Sequence, residues 1–349
     1  MLSFDHTAAR QKVPVVILCG VDARARTEAI EWILDGRGQQ WAVISNETDG
    51  PAFEASCVER VAGQMVPHAI GCLCCVTRSG LVSSLRRLFA MRSQGHAGFD
   101  YVIIETLPDY DPAPVVQTLL NNPLVTEYFC LDSVVSVMAP GGFEALERSR
   151  YGFKQLAVSD RIIVDERVAA SDRLKARIKA LAPAADLIRP DHANPSEAVL
   201  GAGLEACLLR GDIEGWLGRS RYAASDDLEH GLFAFSVAFD EPLDWDAFHA
   251  WLNAGTQMNG DIMFRTKAVI QLAGLDGPVV INGAQHVYQP PQILTDIRFD
   301  TSKLLMITND LDKSAIEQSL REDLPQFARI NTERAERARR AALDPSIPL

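Results

Sequence analysis

No stretch of this chain reaches the roughly 18 consecutive apolar residues that a membrane-spanning helix requires. The N-terminus, MLSFDHTAARQKV, lacks the long apolar core of a secretory signal. Basic charge is scarce: 34 Lys and Arg stand against 46 Asp and Glu, a formal charge of −12, and no basic stripe interrupts the acidic background. Phosphate backbones are repelled by such a surface, so nucleic acid is not an expected partner. There is no internal repeat and no histidine-rich tract. The seven cysteines are an odd number with three packed into four positions, which is not the pattern of a disulfide framework. These absences lead to the expectation of a cytoplasmic protein with reduced thiols and no membrane partner.

What is present is ordinary for a globular protein, 47% hydrophobic and 23% charged residues. At 349 residues the chain exceeds a comfortable single core, so two domains are expected. Up to residue 190, short apolar strands alternate with helical patterns. VPVVILCG, WAVISN, FDYVIIET, LDSVVSVM and DRIIVDE read as strands; ARTEAIEWILDG, RSGLVSSLRRLFAMR and APVVQTLLN read as helices. That alternation implies a parallel sheet covered on both faces, with ligands at the carboxyl ends of strands, here Gly20, Asn46 and Glu105. Residues 210–230 lose periodicity and gain glycine, serine and charge. Beyond them GLFAFSVAFD and LLMITND alternate like strands, and DWDAFHAWLNAG and DKSAIEQSLRED read as helices with N-terminal carboxylates. The expected organisation is an α/β domain over 1–210, a linker over 211–230, an α+β domain over 231–325 and a charged tail over 326–349.

Val15–Leu34, VVILCGVDARARTEAIEWIL, has the rhythm of a strand, a phosphate loop and a helix, without the glycines and lysine that hold a phosphate. It is followed in order by WAVISNETDG, AIGCLCC and FDYVIIETLPDYDPAPVVQTL. This ordered set resembles the CobW-type P-loop GTPases, a metallochaperone-like family, in its phosphate loop, Asn-Glu loop, Cys-x-Cys-Cys metal motif and Walker-B-like segment. DIMFRTKAVIQLAG and PVVINGAQHVYQPP resemble the family's C-terminal domain, with Arg265 and Lys267 in place. The resemblance implies a P-loop NTPase-like parallel sheet with helices on both faces, followed by a smaller α+β domain. It also implies Zn²⁺ and GTP with Mg²⁺ as ligands and a client metalloprotein as partner, and it leaves homo-oligomer formation open.

The departures from the family pattern fall on three parts of one machine. The phosphate loop G-x-x-G-x-G-K-T becomes Gly20, Ala23, Ala25, Arg26 and Thr27. Glycines there let successive N–H groups face the phosphates, and Arg26 keeps the lysine's charge with a different length and shape. Asp22 adds a carboxylate where phosphates would sit, whereas Thr27 retains a hydroxyl suited to Mg²⁺. The pattern Glu-Ser/Thr-Thr-Gly becomes Glu105, Thr106, Leu107 and Pro108, and proline has no N–H to offer a terminal phosphate. The guanine-selecting Asn-Lys-x-Asp aligns with Asp165, Glu166, Arg167 and Val168, so its final carboxylate is gone. Gly20, Arg26, Thr27 and Glu105 remain as the nucleotide-binding candidates, and GTP hydrolysis is expected to be weak or absent.

Cys72, Cys74 and Cys75 are retained. On a strand Cys75 would oppose the other two, but in a turn all three sulfurs can converge at the roughly 2.3 Å that zinc prefers. Gly71 supplies freedom for that turn, and soft thiolates favour Zn²⁺ or Cu(I) over Mg²⁺. A fourth ligand can come from Glu47, which matches the family's Asn-Glu loop, or from His68; the family's second loop acid falls at Gly50 and is missing. The alternative for the triplet is three buried small hydrophobes. Cys19, Cys57, Cys130 and Cys207 read as packing residues, and His230 and His249 as lone histidines. Three functions are carried forward: a metal-binding or partner-binding module with impaired GTP use, an active GTP-dependent metallochaperone, and a ligand-free interaction scaffold.

Overall fold

The run VPVVILC forms β1 (Val13–Cys19), the third of six parallel strands from one end of them. Val15 through Cys19 are completely buried, as a strand must be when helices cover both faces of its sheet. The structure, a computed structural model, describes residues 12–36, 40–47, 56–61, 64–69, 79–96, 98–139, 141–182, 185–217, 231–295, 297, 299 and 301–324. Described residues from Lys12 to Leu217 belong to one compact unit. Those from Gly231 onward, apart from Val287–Gln289, belong to a second.

The first unit also contains β2 (Trp41–Glu47), β3 (Ser56–Val61), β4 (Gln64–Ala69), β5 (Tyr101–Glu105), β6 (Phe129–Met138), β7 (Arg161–Val164) and β8 (Asp186–Ile188). Their order is β4-β3-β2-β5-β1-β6-β7-β8. The six strands from β2 to β8 run parallel, and β3 and β4 extend the sheet antiparallel beyond β2. The expected α/β architecture is therefore present, with a hairpin added at one edge. Alternate residues of five strands, Val16 and Leu18, Val43, Ile103, Val135 and Val137, Ile163, form one apolar face. The helix Ala23–Leu34 lays Ala29, Ile30 and Ile33 on it, the i, i+1, i+4 stripe of an amphipathic helix. Ile33, fully buried, contributes about 1.5–3 kcal/mol by burial alone. Within the segment read as linker, Ile213–Trp216 forms a helical turn that buries Ile213 and Trp216.

One core strand carries a charge. Asp132, 5% exposed in the middle of β6, accepts the Gly201 N–H at 2.7 Å. Burial pushes its carboxyl up to about 6, with Asp160 and Glu205 adding to the rise and Gly201 N–H and Arg161 opposing it. The folded state thus holds this proton more tightly than the unfolded chain does. Stability is expected to fall as pH rises from about 4 to about 6 and to level off above, by roughly 1–3 kcal/mol from this group. Asp132→Asn should flatten that part of the profile and raise stability at pH 7, measured by urea unfolding across pH 4–8; an unchanged profile would contradict it.

In the second unit the strands Val279–Ala284, Met263–Ile270, Ser302–Asn309 and Leu232–Phe239 pair in that order, each antiparallel to the next. The helices Trp245–Asn259 and Lys313–Asp323 begin on the carboxylates of Asp244 and Asp312, which accept the N–H groups of Ala247 and Ala315. They meet through Trp251 Nε1, which donates to Ser319 Oγ at 3.0 Å. This is the expected α+β domain. Among the described residues no helix is long and apolar enough to cross a membrane.

Candidate functional site

Strand register brings the candidate residues together. Leu18 lies opposite Glu105 across β1–β5, Ile44 opposite Ile104 across β2–β5, and Cys19 opposite Ser136 across β1–β6. The carboxyl ends of β1, β2 and β5 therefore place Gly20, Ser45 and Glu105 at one edge. Gly20 has φ +153°, and a Cβ there would sit 3.1 Å from the Val137 carbonyl oxygen and 3.3 Å from Arg26 Cγ. Both the positive φ and the close neighbours disfavour a side chain.

The helix that follows starts at Ala23, and its first turn is capped from within. Asp22 is the N-cap, and its Oδ1 accepts the Ala25 N–H at 3.0 Å. A helix N-terminus is an anion-binding position, and here an anionic oxygen of the chain itself occupies one of its donors. Thr27 is exposed, and its hydroxyl donates to the Ala23 carbonyl one turn back at 3.2 Å.

Arg26 is 4% exposed. Its Nη1 donates to the Gly20 carbonyl at 2.7 Å, and its Nε to Glu105 Oε1 at 3.0 Å. The other carboxylate oxygen, Oε2, accepts a hydrogen bond from Ser45 Oγ. A buried cation, a buried anion and a hydroxyl thus satisfy one another across three strand ends, the condition under which such charges are tolerated in a core. The guanidinium faces its own loop and the Walker-B-like carboxylate. Thr106 fixes the end of β5: its N–H and its hydroxyl both donate to the Leu18 carbonyl, at 2.9 and 3.3 Å. Beneath it the Cys19 thiol is pushed up to about 12 by burial, against the opposing effects of Thr106 and Arg26, so it stays protonated and unreactive.

Of the nucleotide candidates, Gly20, Arg26 and Glu105 are joined in one cluster, and Thr27 points its hydroxyl into its own helix. At the position of the guanine-selecting carboxylate, Val168 is 2% exposed and packed in the core. Asp165, at the start of that motif, caps its own short helix by accepting the Val168 N–H at 2.8 Å. The metal candidates Cys72, Cys74 and Cys75 lie outside the described residues. The backbone of Glu47 closes β2 opposite Ser56, and that of His68 lies in β4 opposite Cys57; their side chains lie outside the described structure. Among the described residues no group of three His, Cys, Asp or Glu side chains is placed to hold a metal, and Cys19, Cys130 and Cys207 are buried.

Ser45 and Thr106 are members of the cluster that no sequence motif marks as such. Ser45 ends an apolar run at a strand's carboxyl end, which is a usable signal; its partner, 60 positions away, is visible only in the fold.

Comparison with known proteins bears on the family and the fold. Residues 14–189 match the model of the CobW/HypB/UreG nucleotide-binding domain, and residues 233–324 match the cobalamin synthesis protein CobW C-terminal domain. The zinc-regulated GTPase metalloprotein activator 1 of Schizosaccharomyces pombe is 30% identical over 174 residues, 47% of this chain and 41% of that one. The zinc chaperone YjiA of Escherichia coli is 23% identical over 283 residues, 79% of this chain and 87% of that one. The crystal structure of Zn(II)-bound YjiA GTPase from E. coli superimposes with a TM-score of 0.68 at 17% identity, over 89% of this chain and 99% of that one, a likeness of fold. With both domain models matched in order across the two folded units, the chain belongs to the CobW family.

Proposed function

We propose that this protein is a zinc-binding chaperone of the CobW type whose use of GTP is impaired. Its remaining chemistry is thiolate coordination by Cys72, Cys74 and Cys75, with Glu47 as the candidate fourth ligand, in the service of a client metalloprotein in the cytoplasm. Two named relatives, a zinc chaperone and a zinc-regulated activator, support the choice of metal, as does the softness of a three-sulfur set. The resemblance of AIGCLCC to the family's ligand motif supports the choice of residues.

The observation that carries the nucleotide half of the reading is the Arg26 ion pair. A cation meant for the β- and γ-phosphates must be presented to them, yet Arg26 spends Nε and Nη1 on Glu105 and Gly20. Asp22 caps the adjoining helix, Pro108 offers no N–H, and Val168 is buried where a base-pairing carboxylate would stand. These residues do not fit GTP with Mg²⁺, because phosphoryl transfer depends on positioned donors and positive charge. Zinc content and nucleotide affinity measured on one preparation test the reading. Bound zinc with no saturable GTP binding is expected; tight Mg²⁺-dependent GTP binding would refute the nucleotide half, and metal-free protein the other.

A further inference from the structure

After β5 the chain crosses Leu107–Pro112 before entering the helix Ala113–Asn121. This is the segment in which the family's terminal-phosphate contact falls, and a single buried side chain holds most of it. Gln155, 1% exposed in the helix Gly152–Ala157, donates from Nε2 to the carbonyls of Leu107 at 3.3 Å, Pro108 at 3.0 Å and Tyr110 at 2.8 Å. Its Oε1 is buried and accepts no hydrogen bond. The amide is therefore oriented by its donors alone, since turning it over would set Oε1 against three carbonyl oxygens.

The neighbours of Gln155 complete the attachment. Lys154 Nζ, on a side chain 8% exposed, lies 2.8 Å from Asp111 Oδ2. Ser149 Oγ donates to the Pro108 carbonyl at 3.5 Å, and the Arg150 N–H donates to Asp109 Oδ1 at 3.2 Å. Asp111 Oδ1 in turn accepts the Ala113 N–H at 2.9 Å, starting the next helix. Each residue from Leu107 to Asp111 is thus bonded to the segment Ser149–Gln155. Tyr110 is half-buried, and its phenol is pushed up to about 12 by burial and by the Asp111 carboxylate.

GTPase switch loops are ordered by the terminal phosphate and its Mg²⁺ and released when these leave. Here protein groups from Ser149–Gln155 bond every residue of the turn. We propose that Gln155, seconded by Lys154, is a latch that holds Leu107–Asp111 in one conformation whether or not a ligand occupies the strand ends. Nucleotide then has no loop to move. The inference goes beyond the impaired-nucleotide reading and stands even if GTP binds.

Hydrogen–deuterium exchange on the full chain, with and without saturating GTP and Mg²⁺, tests it. The Thr106 and Tyr110 amides donate to the Leu18 and Leu107 carbonyls and report on the turn. Peptides spanning 106–112 should exchange at least ten times slower than a free peptide, and at the same rate with and without GTP. Gln155→Leu, close in volume, should speed their exchange about tenfold while β1 and β6 keep theirs; Lys154→Met should do so more weakly and serves if Gln155→Leu does not fold. Free-peptide rates in the wild type, a GTP-dependent change in 106–112, or no response to either variant would overturn the latch. A GTP effect confined to peptides covering Gly20–Thr27 would support the latch and refute the impaired-nucleotide reading instead.

Discussion

Arg26→Ala is expected to destabilise the first unit by about 3–5 kcal/mol at pH 7, the cost of leaving a buried carboxylate without its cation. Glu105 is 8% exposed, and with the guanidinium gone its carboxylate keeps, among the described residues, only the Ser45 hydroxyl. Replacing both members, Arg26→Met with Glu105→Gln, should recover most of the loss, because no charge then remains to be desolvated. Urea unfolding of the single and double variants measures this directly. An arginine held out in solvent for phosphates would behave otherwise: its removal would change stability by no more than about 0.5 kcal/mol. A near-neutral Arg26→Ala would therefore sink the inward-facing account of this side chain.

The second large effect is on metal. Protein purified under reducing conditions is expected to hold about one zinc per chain, and the Cys72→Ser, Cys74→Ser, Cys75→Ser triple variant none. Each single exchange should weaken affinity on the order of a hundredfold or more, since serine does not replace a thiolate ligand for zinc. Glu47→Gln and His68→Asn, compared side by side, identify the fourth ligand: only the exchange of the true one weakens binding. Affinity should fall as pH drops, because thiols must lose their protons to bind. Unchanged zinc content in the triple variant would move the site elsewhere, and no zinc in the wild type would leave the cysteines as packing residues.

The sheet was legible where the sequence is monotonous. VPVVILCG and FDYVIIET are apolar enough to read as two-sided strands, LDSVVSVM reads as a strand despite Asp132 and two serines, and strands form in all three. The N-terminal carboxylates read at the helices beginning near Asp244 and Asp312 act as caps. The hairpin β3–β4 was not legible, because SCVERV and QMVPHA lack both an apolar run and clean alternation. Three residues of β8, DLI, are too few for any period to register. At the site, motif position found Gly20, Arg26 and Glu105, since the chain order of the strands fixes where those residues fall. It did not reveal that Arg26 turns inward. That depends on Glu105, 79 positions away, lying across β1–β5 at the height of the loop, and on Ser45 binding the second oxygen. Gln155 carried no signal at all: a glutamine in a short helix looks polar and exposed until the fold buries it under three carbonyls.

The most direct test of the central claim, that the phosphate loop is satisfied by the chain's own charges, is a GTP turnover assay with Mg²⁺ on wild-type, zinc-loaded protein beside Arg26→Lys. Phosphate release from the wild type is predicted to stay at the level of a protein-free control, and Arg26→Lys is predicted to add nothing, because Asp22, Pro108 and Val168 remain. Robust GTP cleavage by the wild type that disappears on exchange of Arg26 would contradict the account.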